Sequence, residues 1–125
     1  MSLLWIRILL IVCGIYDGLL GLVVVVAPGA LFQMFHVTPP NHYGYVQFSA
    51  LMLILFGVMF LRAAADPVGR REFIVYGLAL KASYSGLVFW YQFHGGVPKL
   101  WLPWAWADLG FLVLFFLAWR QTARQ

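Results

Sequence analysis

Charge is scarce in this chain. Among its 125 residues, eight are Lys or Arg and four are Asp or Glu, which sets the charged fraction at 10%, against about 25% in ordinary soluble domains. Hydrophobic residues reach 64%, aromatics 18% and mean hydropathy +0.90. A fold this apolar has too few polar side chains to cover a water-facing surface. That excludes a soluble enzyme, a nucleic-acid module and a disordered tail. The net charge of +4 comes from scattered Lys and Arg, with no patch able to follow phosphates, so no nucleic-acid partner is expected. Cysteine is nearly absent too: Cys13 stands alone, which excludes an internal disulfide and a cysteine-built metal cage. The sequence also lacks a phosphate loop and a nucleophile elbow. No residue is therefore assigned as catalytic, a non-enzyme is favoured over an enzyme, and the sequence leaves the cofactor unknown. The length allows a single domain over residues 1–125.

What the chain does have is long apolar runs. A membrane span needs about 20 such residues, and four stretches qualify: 3–27, 45–61, 73–93 and 100–119. The breaks between them have loop chemistry: Pro28-Gly29, Pro39-Pro40-Asn41, Asp66-Pro67-Val68-Gly69 and Gly95-Gly96-Val97-Pro98. Backbone groups in lipid must bond within their own segment, so the β-branched run 23–26 is still expected to be helical. The first run is longer than a signal-peptide core, and Leu10-Ile11-Val12-Cys13 has Val12 where a lipoprotein cleavage box wants a small residue. It is read as a retained span. The expected fold class is all-α, an integral membrane four-helix up-down bundle.

Basic residues give the direction. Arg7, Arg62, Arg70, Arg71, Arg120 and Arg124 fall on one side and Lys99 alone on the other, which predicts cytoplasmic termini in a plasma or inner cell membrane. Aromatic residues border both faces: Trp5, Tyr76 and Trp119 inside, and Tyr43, Tyr45, Trp90, Tyr91, Trp101 and Trp104 outside. A short echo, Tyr16-Asp17-Gly18-Leu19 against Tyr84-Ser85-Gly86-Leu87, raises the idea of a duplicated hairpin.

Three ionisable residues, Asp17, Lys81 and Asp108, fall inside spans, where each costs about 2.5–3.5 kcal/mol on insertion scales. At about 1.5 Å per residue, Asp17 lies about 15 Å beyond Arg7, Lys81 about 13 Å beyond Glu72, and Asp108 about 18 Å beyond Arg120. All three come out near mid-depth, and a common cluster inside the bundle is expected. The faces agree. Gly14, Gly18 and Gly21 flank Asp17; Gly77, Tyr84, Ser85 and Gln92 share a side with Lys81; Trp104, Ala105 and Phe111 share one with Asp108. In the second span the inward face is read as Ser49, Met52, Phe56 and Gly57. Tyr16, Tyr84 and Ser85 are candidate hydrogen-bonding walls. One Lys and two Asp cannot all pair, so either one carboxyl keeps a proton or an outside cation completes the site. The cluster reads first as a structural ion pair that fixes helix register, and next as a ligand- or proton-handling centre.

The three histidines, His36, His42 and His94, all fall on the outer side. Three imidazoles with an open position would suit zinc or copper, so they are the candidate metal ligands.

The four spans, the proline-rich first outer loop and the Gly-lined first helix together resemble the DoxX-like small four-helix membrane proteins. That resemblance implies a membrane protein found beside redox complexes and carries no residue role. In size and span count the chain is also similar to the small multidrug resistance transporters. Their acidic residue in the first helix would correspond to Asp17, while Lys81 and the one-sided distribution of Arg depart from them. Three functions follow as expectations. The first is a non-catalytic subunit or scaffold of a larger redox or photosynthetic membrane complex, suggested by the aromatic outer surface of Phe89, Trp90, Phe93, Trp101 and Trp104. The second is a bundle that binds a small apolar ligand, such as a quinone or lipid, at the Asp-Lys-Asp centre. The third is a proton-coupled small transporter. The expected partners are the lipid bilayer and either other membrane subunits or further copies of the chain.

Overall fold

The computed structural model describes residues 3–97 and 100–123. Among these, all regular structure is helical: α1 (Leu4–Val26), α2 (Ala30–Met34), α3 (Gly44–Ala65), α4 (Arg71–Phe93) and α5 (Trp101–Thr122). The long helices, α1, α3, α4 and α5, have 22 or 23 residues each. At 1.5 Å per residue they extend about 33–35 Å, enough to cross a hydrocarbon core of about 30 Å. All four are long and apolar enough to cross a membrane. Pro98, Lys99 and Arg124 lie outside the described residues.

The helix ends differ from the sequence expectation in ways that local chemistry explains. α3 runs to Ala65 rather than 61, so Arg62 sits within its last turn. The stop comes from Asp66-Pro67, where the Asp66 carboxylate accepts from the Gly69 backbone N–H at 3.0 Å. α5 continues past 119 to Thr122. Pro103 fits at its third position, because the first N–H groups of a helix have no intrahelical partner anyway. The short α2 has no periodic signature in the sequence. It ends with His36 at φ 54°, the Val37 N–H bonding to Phe32 O at 2.8 Å and the His36 N–H to Gln33 O at 3.2 Å. This is a Schellman cap with histidine in the left-handed position that glycine usually holds. α4 closes on glycine: Gly95 at φ 131° and Gly96 at φ 93° allow the Gly96 N–H to reach Tyr91 O at 2.9 Å.

The long helices pair first as two hairpins, α1 on α3 and α4 on α5, with fewer contacts between hairpins. The α1–α3 seam is made of glycine. A methyl group on Gly14 would lie 2.8 Å from Gly57 O, and one on Gly57 would lie 2.7 Å from Gly14 O. The two backbones therefore touch, as small residues allow in membrane helices. Successive pairs run in opposite senses along the two helices: Arg7 with Ala64 and Ala65, Gly14 with Gly57, Gly21 with Ala50, Val25 with Gln47. Ala50, Gly57, Phe60, Ala63 and Ala64 form the buried face of α3. Gly57 and Phe56, expected on that face, are there, Gly57 buried and Phe56 packed against the core, whereas Ser49 is exposed and bonds to Tyr45 O at 3.3 Å. Gln92 of α4 is likewise exposed, its Oε1 accepting from the Val97 N–H at 3.2 Å.

An arginine at the start of each hairpin caps the end of its second helix. Arg7 Nη1 donates to Ala64 O and Ala65 O at 3.2 and 3.1 Å. Arg71 Nε donates to Trp119 O at 3.0 Å and Thr122 Oγ1 at 3.1 Å, its guanidinium 4.6 Å from the Trp119 ring centre. A cation among terminal carbonyls is favourable on hydrogen-bond and dipole grounds. At this same end the hairpins join through Trp5 Nε1, which donates to Gln121 Oε1 at 2.9 Å. The cluster of Ile6, Leu10, Phe60, Ile74, Phe115 and Ala118, each 0% exposed, packs just beyond. At its centre Phe60 and Phe115 meet edge to face, 5.2 Å apart at 87°.

Candidate functional site: a buried ion trio

Beyond that core, one polar cluster ties the hairpins together. Lys81 of α4 is 0% exposed, Asp17 of α1 is 1% and Asp108 of α5 is 7%. The Lys81 ammonium donates to both Asp17 oxygens at 2.9 Å and to Asp108 Oδ1 at 3.0 Å. An ammonium has three N–H donors, so Lys81 is saturated. It has no lone pair for nucleophilic or base chemistry while it holds these bonds. Three aromatic rings enclose the charge: Phe111, Tyr16 and Phe60, with centres 5.2, 5.6 and 6.0 Å from Nζ. Rings at that range attract a cation.

The helices meet this way for reasons of local sequence. Gly77 precedes Lys81 by one turn, and a methyl group there would collide with the rings of Phe115 and Phe60. The absent side chain is what lets α4 settle against both. Cys13 precedes Asp17 by four residues on the same face, and its Sγ lies 3.9 Å from Asp17 Oδ2. That i, i+4 relation was visible in the sequence, but a lone cysteine gave no chemical reason to weigh it.

The two carboxylates are held differently. Asp17 uses both oxygens on Lys81 and receives the Cys13 thiol as well. Asp108 offers Lys81 a single oxygen, and its side chain is 10% exposed against 2% for Asp17. Tyr16 leans on Phe111 and Trp104 of α5, ring centres 5.5 and 6.3 Å away. Its hydroxyl is buried and, among the described residues, unpaired. Tyr84 is satisfied otherwise: its hydroxyl donates to Trp101 O at 3.0 Å, and its ring stacks on Trp101 at 6.3 Å and 20°. Ser85, though buried, turns back to Lys81 O at 2.6 Å. The sequence echo therefore does not mark equivalent roles: Asp17 enters the trio, and Ser85 bonds only to its own helix.

Among the described residues, the hydrogen bonds, ion pairs and ring contacts joining the hairpins run from Trp5–Gln121 to Tyr16–Trp104. Farther along, such contacts are made within a hairpin: Gln47 with Val25, Tyr84 with Trp101, Phe89 with Trp106. A separate apolar groove of 470 Å³, bordered by Phe89, Gln92, Phe93, Leu102, Trp106 and Leu109, opens on the α4–α5 hairpin away from the trio.

The structure does not gather His36, His42 and His94, the candidate metal ligands. Among the described residues, no three His, Cys, Asp or Glu side chains gather as a ligand set. His36 is committed to the α2 cap by its backbone. His42 Nδ1 accepts from the Gly44 N–H at 2.9 Å. His94 Nδ1 donates to Trp90 O at 2.7 Å while its ring stacks on Trp90 at 4.2 Å. Each histidine serves its own turn, so sharing one face of the bundle does not bring them together.

Comparison of the chain with protein-family models, curated proteins and solved structures gives no match.

Proposed function

We propose that the chain is a multi-pass protein of the cell membrane that binds a small apolar molecule carrying a hydrogen-bonding head group, held beside Asp108 and Tyr16. The bundle is up-down with both termini cytoplasmic. The gathering of Arg7 and Arg71 with the last turns of α3 and α5 at one end supports this, together with the distribution of basic residues. Its span number and proline-rich first loop support grouping it with the DoxX-like small membrane proteins. The observation that carries the binding reading is the Tyr16 hydroxyl, buried next to an ion cluster and lacking a bond. Leaving such a group unsatisfied costs about 1–3 kcal/mol, and a bound head group removes that cost. The head reaches it between the hairpins, past the last hydrogen bond, ion pair or ring contact that joins them among the described residues.

The test is mass spectrometry of small molecules extracted from the chain purified in lipid nanodiscs. An apolar species near one per chain is expected, lost in Lys81→Met and bound about fivefold more weakly in Tyr16→Phe, the equivalent of about 1 kcal/mol. No retained molecule, with Tyr16→Phe melting higher than the parent, would contradict the reading.

The 470 Å³ groove supports a second reading, a non-catalytic subunit of a larger membrane assembly. Its walls are apolar apart from Gln92, which suits a neighbouring helix. Purification from native membranes in mild detergent decides it: a defined companion subunit supports this reading, and a free monomer contradicts it.

A further inference from the structure

We infer that the trio carries one exchangeable proton and that Asp108 holds it. The groups facing the cluster can be counted helix by helix: Cys13, Tyr16 and Asp17 from α1, Lys81 and Tyr84 from α4, and Asp108 from α5; α3 contributes the Phe60 ring and no titratable group. One ammonium therefore faces two carboxyls. Arg7 and Arg71 are spent on carbonyls at the far end of the core, and among the described residues Lys81 is the cation paired with either carboxyl. A net negative charge at mid-membrane is expensive, and a proton removes it most simply. A metal ion is a poor substitute, because Asp108 and Tyr16 supply two ligands where hard cations take six or more.

Bonding decides which carboxyl is protonated. Asp17 accepts at both oxygens, two bonds from Lys81 and one from the Cys13 thiol, the pattern of an ionised carboxylate. Asp108 accepts from Lys81 at Oδ1 only, which leaves Oδ2 as the place for the proton. The trio is then a saturated Lys81–Asp17 pair with a neutral acid beside it. That acid and the Tyr16 hydroxyl are both donors, so the head group of the ligand is an acceptor, a carbonyl, ether or phosphoryl oxygen, rather than an ammonium. This last consequence rests on the proposed function; the proton on Asp108 does not.

Infrared spectroscopy of the ligand-free chain in nanodiscs tests the assignment. A protonated-carboxyl C=O band is expected. It shifts in heavy water, moves in Asp108→Glu, holds its position in Asp17→Glu and vanishes in Asp108→Asn. Should the variants fail to fold, the parent chain is treated with a hydrophobic carbodiimide, which reacts with protonated carboxyls, and the adduct is located by peptide mass spectrometry. Modification at Asp108 supports the assignment. Absence of the band, movement of the band in Asp17→Glu, or an adduct on Asp17 would overturn it, the first of these also being the result if a bound cation replaces the proton.

Discussion

Replacing Lys81 by Met removes three charge-assisted bonds at 2.9, 2.9 and 3.0 Å and leaves two carboxyls that bonded to a common nitrogen. Their oxygens on either side of that nitrogen lie within about 6 Å, in a setting where charges interact strongly. Breaking a buried ion pair by deleting one partner costs about 3–5 kcal/mol, because the remaining charge is stranded. Protonation of both carboxyls relieves part of this but leaves them without their donor. The trio also links the hairpins, so the loss falls on their junction. Replacing all three members by apolar residues of similar volume should behave differently: the desolvation cost disappears with the charges, and the effect falls between neutral and about 1–4 kcal/mol stabilising. Equilibrium unfolding in mixed micelles, followed by circular dichroism, measures both variants. A Lys81→Met variant within about 1 kcal/mol of the parent would refute the reasoning, since exposed pairs are worth that little.

The two aspartates should rank unequally: Asp108→Asn leaves a matched Lys81–Asp17 pair and is milder than Asp17→Asn in the same unfolding assay. Along the α1–α3 seam, Gly14→Ala pushes a methyl group against Gly57 O and should cost about 1–3 kcal/mol. Gly18→Ala meets nothing within 4 Å and should be neutral or slightly stabilising through helix propensity, of up to about 1 kcal/mol. Arg71→Lys forfeits the Nε bonds and the planar contact with Trp119, a loss of about 1–2 kcal/mol read from the melting temperature. For orientation, single cysteines introduced as Arg70→Cys and His94→Cys on a Cys13→Ser background should label with an impermeant maleimide from opposite sides of sealed vesicles; labelling from the same side would contradict the up-down arrangement.

Much of this was legible because helices in lipid behave as rods of fixed rise. Counting residues from the flanking charges placed Asp17, Lys81 and Asp108 at one depth, and the structure joins them within 3.0 Å. The glycines of α1 announced a close approach, but not that α3 would be the helix approaching. Helix ends were less readable: Arg62 looks like a boundary charge, yet α3 carries it in its last turn because the stop signal lies farther on, in Asp66-Pro67. The tyrosines separate for a reason no spacing reveals. Tyr84 is near a carbonyl at the start of α5, and Tyr16 points where the described chain offers no acceptor. The shared side of the three histidines in the sequence carried no information on distance: His42 and His94 bond within their own turns, and His36 closes α2 through its backbone.

A double-mutant cycle between Asp17 and Lys81, using Asp17→Asn and Lys81→Met in lipid-containing micelles, measures most directly whether the two hairpins are fastened to each other through this ion pair. The account predicts a coupling free energy of about 2–3 kcal/mol, at the upper end of what contacting residues show. Additivity within about 0.5 kcal/mol, as for distant and independent sites, would contradict it.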